Sequence, residues 1–172
     1  MKNSPNYIVE WLIGGNSCYL IWHDGGADKD TYLTSMSIEQ NLLSSKSLRG
    51  LHDLARAHGL DLNEKPAHII DLDAAIEIVK DFEAGRKLEE KQCHLLLDVW
   101  NGLDDVSRSV NISLLPRGDK LYKKLFWGNN LPAVTPAGQK YSPRLTVGEM
   151  HNLSRHFCRA RDTLRMVCSL VD

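Results

Sequence analysis

The side chains best suited to chemistry in this chain are its carboxylates, histidines and thiols, and their spacing limits what they can do together. Asp104 and Asp105 adjoin, but neighbouring residues on a helix point about 100 degrees apart, so they do not make an acid–base dyad by themselves. His52 and His58 are six apart and His151 and His156 five apart. Neither pair has the four-residue spacing that brings two imidazoles to one metal on a helix. Asp24, Asp28 and Asp30 lie in one polar run, yet a calcium loop needs ligands at fixed alternate positions closing on a glutamate, and Leu33 to Ser35 supply none. Cys18, Cys93, Cys158 and Cys168 show no CxxC pairing. Cys18 and Cys93 fall within apolar patterns and read as buried thiols in a reducing compartment rather than a disulfide framework. GxSxG, P-loop and GxGxxG motifs are lacking. The expectation is a chain that is not an enzyme, with no catalytic residues, cofactor, metal or small-molecule substrate.

Charge says more about partners. From Asp71 to Asp105 ten carboxylates face four cations, a net of −6, whereas after Val106 the net is +7. The acidic stretch supplies the candidate partner-binding residues Asp71, Asp73, Glu77, Asp81, Asp98, Asp104 and Asp105. A surface of this sign suits docking onto a basic protein, because opposite potentials steer association and set specificity. The blander account is that the two halves neutralise each other in the fold. In the basic half, Lys120, Lys123 and Lys124 stand beside Tyr122, Phe126 and Trp127, a mixture of charge and stacking surface that could hold nucleic acid. The overall net charge of −1 makes nucleic acid the weaker expectation.

The elements that must position these residues follow from local pattern. At 172 residues with 42% hydrophobic content, the chain can build one sizeable core and is expected to form a single globular domain, 1–172. Met1 to Pro5 offers no apolar leader, and no window approaches a membrane span, so a cytoplasmic location is expected. Tyr7 to Ile13 and Ser17 to His23 are β-prone around Gly14-Gly15-Asn16, a hairpin signal. Cys18, Leu20 and Trp22 share one face of the second strand and Tyr19 and Ile21 the other, so both faces are expected to be covered. Thr31 to Ile38 would complete an antiparallel meander.

From Ser47 the period becomes helical, with Leu48, Leu51, Leu54 and Ala55 on one face, Ser47 as N-cap and Gly59 past the end. Pro66 to Ile70 reads as a short strand. Asp71 or Asp73 then caps a helix presenting Ile76, Val79 and Phe82 and stopping at Gly85. After the charged linker 86–91, a third helix buries Cys93, Leu96, Trp100, Leu103 and Val106 and turns an acidic side outward. Thr146 to Glu149 matches a capping box, and Leu145 is placed to staple against Met150. The apolar seam that follows runs through Met150, Leu153, Phe157, Ala160, Leu164, Val167 and Val171, opposite Arg155, Arg159 and Arg165. The fold class is therefore α+β, an N-terminal antiparallel β-meander packed against C-terminal helices.

One stretch has no period. Lys120 to Pro143 mixes aromatic residues with Gly128-Asn129-Asn130, Thr135-Pro136-Ala137-Gly138 and the prolines Pro132, Pro136 and Pro143, so it reads as an ordered loop pinned to the core by Tyr122, Leu125, Phe126, Trp127 and Leu131, with Trp127 as the anchor. Within it, Leu125 to Gly138, with Tyr141 and Pro143, resembles a segment of immunity proteins from bacterial contact-dependent growth inhibition and related polymorphic toxin systems. Ser37-Ile38-Glu39-Gln40-Asn41, Asp71-Leu72-Asp73 and Leu97-Asp98-Val99-Trp100-Asn101 with Asp104-Asp105 fit the same resemblance, which spans roughly residues 7–167. The resemblance implies a cytoplasmic protein that binds a cognate toxin C-terminal domain, often a basic nuclease, and occludes its active site. The alternative is a small nucleic-acid-associated or regulatory binding protein that uses the basic C-terminal half.

Overall fold

The computed structural model describes residues 6–26, 29–35, 41–81, 87–116 and 120–168. Strands β1 (Asn6–Ile13) and β2 (Asn16–His23) form the expected hairpin, in register from Asn6 opposite His23 to Ile13 opposite Asn16. Gly14 and Gly15 make the turn with φ of 62° and 77°, the left-handed pair that a two-residue hairpin requires. Strand β3 (Thr31–Tyr32) pairs antiparallel with β2, and β4 (Ser44–Ser45) pairs with β2 further along. The third strand is thus shorter than the expected Thr31 to Ile38, whose last residues lie outside the described ones. Strand β5 (His68–Asp71) completes the sheet by pairing parallel with β1, so the order is β3-β2-β1-β5 and the sheet is mixed rather than a pure meander.

Alternation along the hairpin sends its side chains into two cores. Val9, Trp11, Ile13, Cys18 and Leu20 enter the larger one, together with residues of helices α2 (Leu72–Lys80), α3 (Glu90–Val110), α4 (Lys120–Gly128) and α5 (Val147–Val167). Ile8 and Ile21, opposite each other in the register, enter the smaller core with Leu51 and Ala55 of α1 (Leu48–Ala57). Both faces of the sheet are therefore covered, as the period-2 pattern of β2 requires.

The helix ends follow their cap residues. Ser47 accepts the Gly50 N–H at 3.1 Å, and Gly59 takes a left-handed φ of 67° just past α1. Of the two aspartates that could cap α2, Asp71 does so, accepting the Ala74 N–H at 2.8 Å; Phe82 and Gly85 lie outside the described residues. The Thr146–Glu149 capping box forms in both directions, at 3.2 and 2.7 Å, and Leu145 and Met150 are both buried. On α5 the seam from Met150 to Leu164 is buried, Val167 is half-buried, and Val171 lies outside the described residues. Arg155 and Arg159 face solvent. Where α3 crosses the sheet, a Cβ at Gly102 would come within 2.6 Å of Ile70 Cδ1 and 2.7 Å of Trp11 Cζ2, so only glycine permits this approach.

The 120–143 stretch departs from its expected form. Lys120–Gly128 is helix α4, burying Leu121 and Leu125, because all three prolines come after Leu131 and nothing earlier interrupts a turn. Trp127 is not the core anchor: it is 47% exposed and stands edge-on to Phe126 at 5.6 Å. The irregular part is held by backbone bonds instead. Asn130, at φ 49°, donates its side-chain amide to the carbonyls of Gly128 and Tyr141 and accepts the Tyr141 N–H at 2.7 Å. The Leu88 N–H donates to the Pro143 carbonyl and the Ser142 hydroxyl to that of Leu88, which ties the segment to the entrance of α3.

Candidate partner-binding site

On the acidic side of α3, Asp98, Asn101, Gly102 and Asp105 recur at intervals of three and four and so fall on one helical face. That face packs toward the sheet side that carries Tyr7, Val9, Trp22, Tyr32, His68 and Ile70, and the two surfaces enclose an open cleft of about 400 Å³. One wall is aromatic and the other carries carboxylates. The Tyr7 and Trp22 rings meet at 5.6 Å, tilted by 49°, on opposite members of the same strand pair.

The carboxylates differ in environment. Asp105 accepts the Trp22 indole N–H at 3.0 Å and meets the Arg108 guanidinium with its other oxygen. Burial pushes its carboxyl up to about 6, against the downward pull of Trp22 and Arg108, and nearby Asp30 and Asp104 add to the rise. Asp98 is flanked by His94 Nε2 at 3.3 Å, one helical turn before it, and by His68 Nε2 at 3.8 Å, from β5. Asp104 joins the same Arg108, so one guanidinium is shared by two adjacent aspartates.

Of the other candidates, Asp71 and Asp73 serve the fold, while Glu77 and Asp81 lie exposed on α2 and at its C-cap, away from the cleft lining. Asp71 is spent on the α2 cap. Both oxygens of Asp73 accept backbone N–H groups of the hairpin turn, Gly14 and Gly15, each at 2.8 Å, which fastens α2 to the β1–β2 turn. Glu77 is exposed and paired with Lys80 at 3.5 Å, and exposed Asp81 is the C-cap residue of α2. Asp98 and Asp105 are thus the candidates that line the cleft, with Asp104 beside it.

Sequence reasoning missed Tyr7, Trp22, His68 and Asn101 as members of the site. Trp22 carried a signal, since it shares a face with Cys18 and Leu20; His68 carried none, because its place depends on the parallel pairing of β5 with β1. Chemically, the cleft offers an anion next to aromatic faces, an arrangement that receives a cationic side chain. Among the described residues there is no cluster of metal-ligating side chains, and no helix is long and apolar enough to cross a membrane. No family model, curated protein or solved structure matches the chain.

Proposed function

We propose that this protein is a cytoplasmic immunity protein that binds a cognate toxin domain, a basic nuclease by class, and blocks its active site without performing chemistry. The observation that carries this reading is the α3 cleft of about 400 Å³, which Asp98 and Asp105 line together with Tyr7 and Trp22. A lysine or arginine from the rim of a phosphate-binding site would find both a carboxylate and an aromatic face there. The resemblance of the 125–143 segment to immunity proteins points to the same class. Stoichiometric neutralisation needs an interface of at least about 1,200 Å² in total, so exposed residues around the cleft must contribute as well. Co-expression with a candidate toxin domain, sought in the product of the gene immediately upstream, tests the proposal: rescued growth and a co-purifying complex are expected. Turnover that vanishes on changing a single polar residue, with no stable complex, would contradict it.

A second reading keeps one specific observation in its favour. Trp127 and Tyr141 are 47% and 45% exposed and line a common cavity in which the buried Thr135 hydroxyl lacks a hydrogen-bond partner among the described residues. Exposed rings beside Lys140 make a stacking surface for single-stranded nucleic acid. Salt-dependent binding of a generic oligonucleotide, lost in Trp127→Ala, would favour this reading over the first.

A further inference from the structure

Strand β2 and the C-terminal end of α5 each bring a cysteine to one cavity. Cys18 lies on β2 opposite Trp11, and Cys168 follows the last turn of α5. Residues around Cys168 are fixed to the sheet side by a parallel bridge between Leu42 and Cys168 and by the Leu42 N–H donating to the Val167 carbonyl at 2.9 Å. The thiols of Cys18 and Cys168 hydrogen-bond to each other, and the buried Ser44 hydroxyl bonds to both. Both residues are buried, yet both line a cavity of about 430 Å³ whose other walls include Lys46 and Arg165. The Arg165 guanidinium fills the space that a side chain at position 14 would take, which places its charge over the hairpin turn beside this cavity. We propose that Cys18 and Cys168 are a peroxide-reactive thiol pair that closes to a disulfide.

Cys18, on the hairpin strand that lines the cavity with Asn16 and Ser17, attacks, and Cys168 resolves. The hydrogen bond from Cys168 outweighs burial and, with Ser44, holds the Cys18 thiol below its usual range; Cys168, as donor to Cys18 and as a buried thiol, is raised. The Cys18 thiolate attacks one oxygen of hydrogen peroxide, the O–O bond breaks, and hydroxide leaves a sulfenic acid on Cys18. The Cys168 sulfur then attacks Cys18 Sγ, the S–O bond breaks, and the released hydroxide takes the Cys168 proton as water. In sum two thiols and one peroxide give one disulfide and two waters, the sulfurs losing the two electrons that the peroxide oxygens gain.

The remaining thiols are built differently. Cys93 is fully buried, its thiol pushed up to about 11 by burial and, to a smaller extent, by Glu90, and it packs against Gly128. Cys158 is half-buried on α5, packed against the larger core. Neither lines the cavity that Cys18 and Cys168 share. In a reducing compartment a pair of this kind stays reduced and responds only to oxidant.

The test is peptide mapping without reduction after native protein is treated with hydrogen peroxide, acid-quenched and alkylated. The expected result is a Cys18–Cys168 crosslinked peptide as the main oxidised species, reversed by dithiothreitol, with Cys93 and Cys158 still alkylated. In C168S, dimedone should label Cys18 as a sulfenic acid, and in C18S peroxide should leave Cys168 unoxidised. Oxidation appearing first at Cys158, or at Cys18 without a crosslink in the unaltered protein, would overturn the proposal. So would a chain whose thiols all remain alkylatable. The mapping of the unaltered protein decides the matter even if a serine variant does not fold.

Discussion

Asp105 shows how a residue's surroundings set a measurable property. Its carboxyl is raised from 3.8 to about 6 chiefly by burial, so the fold disfavours its charged form. The stabilising contribution is fully present below the unfolded value and is lost as pH rises through the folded one, between about 4 and about 6. Asp105→Asn keeps an acceptor for the Trp22 indole and removes the ionisation. Melting temperatures measured across that window should therefore fall less with rising pH in the variant than in the parent. An unchanged pH slope would show that Asp105 is not the group responsible.

Two tryptophans make a contrasting pair at the same scale. Trp11 is fully buried and donates its indole N–H to the Tyr32 hydroxyl at 3.0 Å, whereas Trp127 is about half exposed. Trp11→Ala should cost about 3–5 kcal/mol, the range for truncating a buried aromatic. Trp127→Ala should cost only about 1 kcal/mol, mostly its edge contact with Phe126. Urea unfolding of the two variants distinguishes them, and equal losses would return Trp127 to the core role that its loop context suggested.

At the scale of elements, α3 and α5 are each held by one detail. Alanine normally improves a helix interior over glycine by about 1 kcal/mol. At position 102 the new methyl would meet Ile70 and the rigid ring of Trp11 at under 3 Å. Gly102→Ala is therefore expected to destabilise by about 1–3 kcal/mol, the cost of overpacking, and a more stable variant in chemical denaturation would refute the close approach. Glu149 combines two jobs, closing the capping box and accepting the Lys124 ammonium at 2.7 and 2.8 Å. Burial opposes its ionisation, but the bonds from Lys124 and Thr146 hold its carboxyl below the usual range, so its contribution is present at neutral pH and lost on acidification. Glu149→Ala should cost about 1–2 kcal/mol at neutral pH by the usual worth of a cap plus a partly exposed ion pair, with a smaller difference in acid.

Which elements could be read in advance depended on how far apart their determinants lie. The hairpin, the Ser47 cap and the Thr146 capping box are written within a few residues, and each forms as read. Helix α4 was hidden because it lacks a cap signal and its neighbours past Leu131 are prolines, although Leu121 and Leu125 already stood four apart. The parallel pairing of β5 with β1 joins residues about sixty positions apart, and nothing local encodes it. For the same reason the carboxylates of the cleft were nameable from charge, while their aromatic and histidine neighbours were not.

The whole molecule divides by charge. The stretch from Asp71 to Asp105, net −6, holds the cleft wall of α3, and the basic half includes the solvent-facing Arg155 and Arg159 of α5. If binding is steered by the acidic side, the effect belongs to the association rate and its salt dependence rather than to any single contact. Asp71 and Asp73 are unsuitable for testing this, since altering them would release the α2 cap or the hairpin turn. Asp98 and Asp104, with side chains 25% and 50% exposed, are suitable.

The direct measurement is stopped-flow association with the proposed partner, a basic toxin domain that co-purifies with the chain, from low to physiological salt, for folded variants carrying either Asp98→Lys with Asp104→Lys or Arg155→Glu with Arg159→Glu. The account predicts that the aspartate reversals slow association about tenfold or more at low salt and flatten its salt dependence, while the arginine reversals change it by no more than about twofold. Loss of binding in the arginine set, with rate and affinity unchanged in the aspartate set, would contradict it.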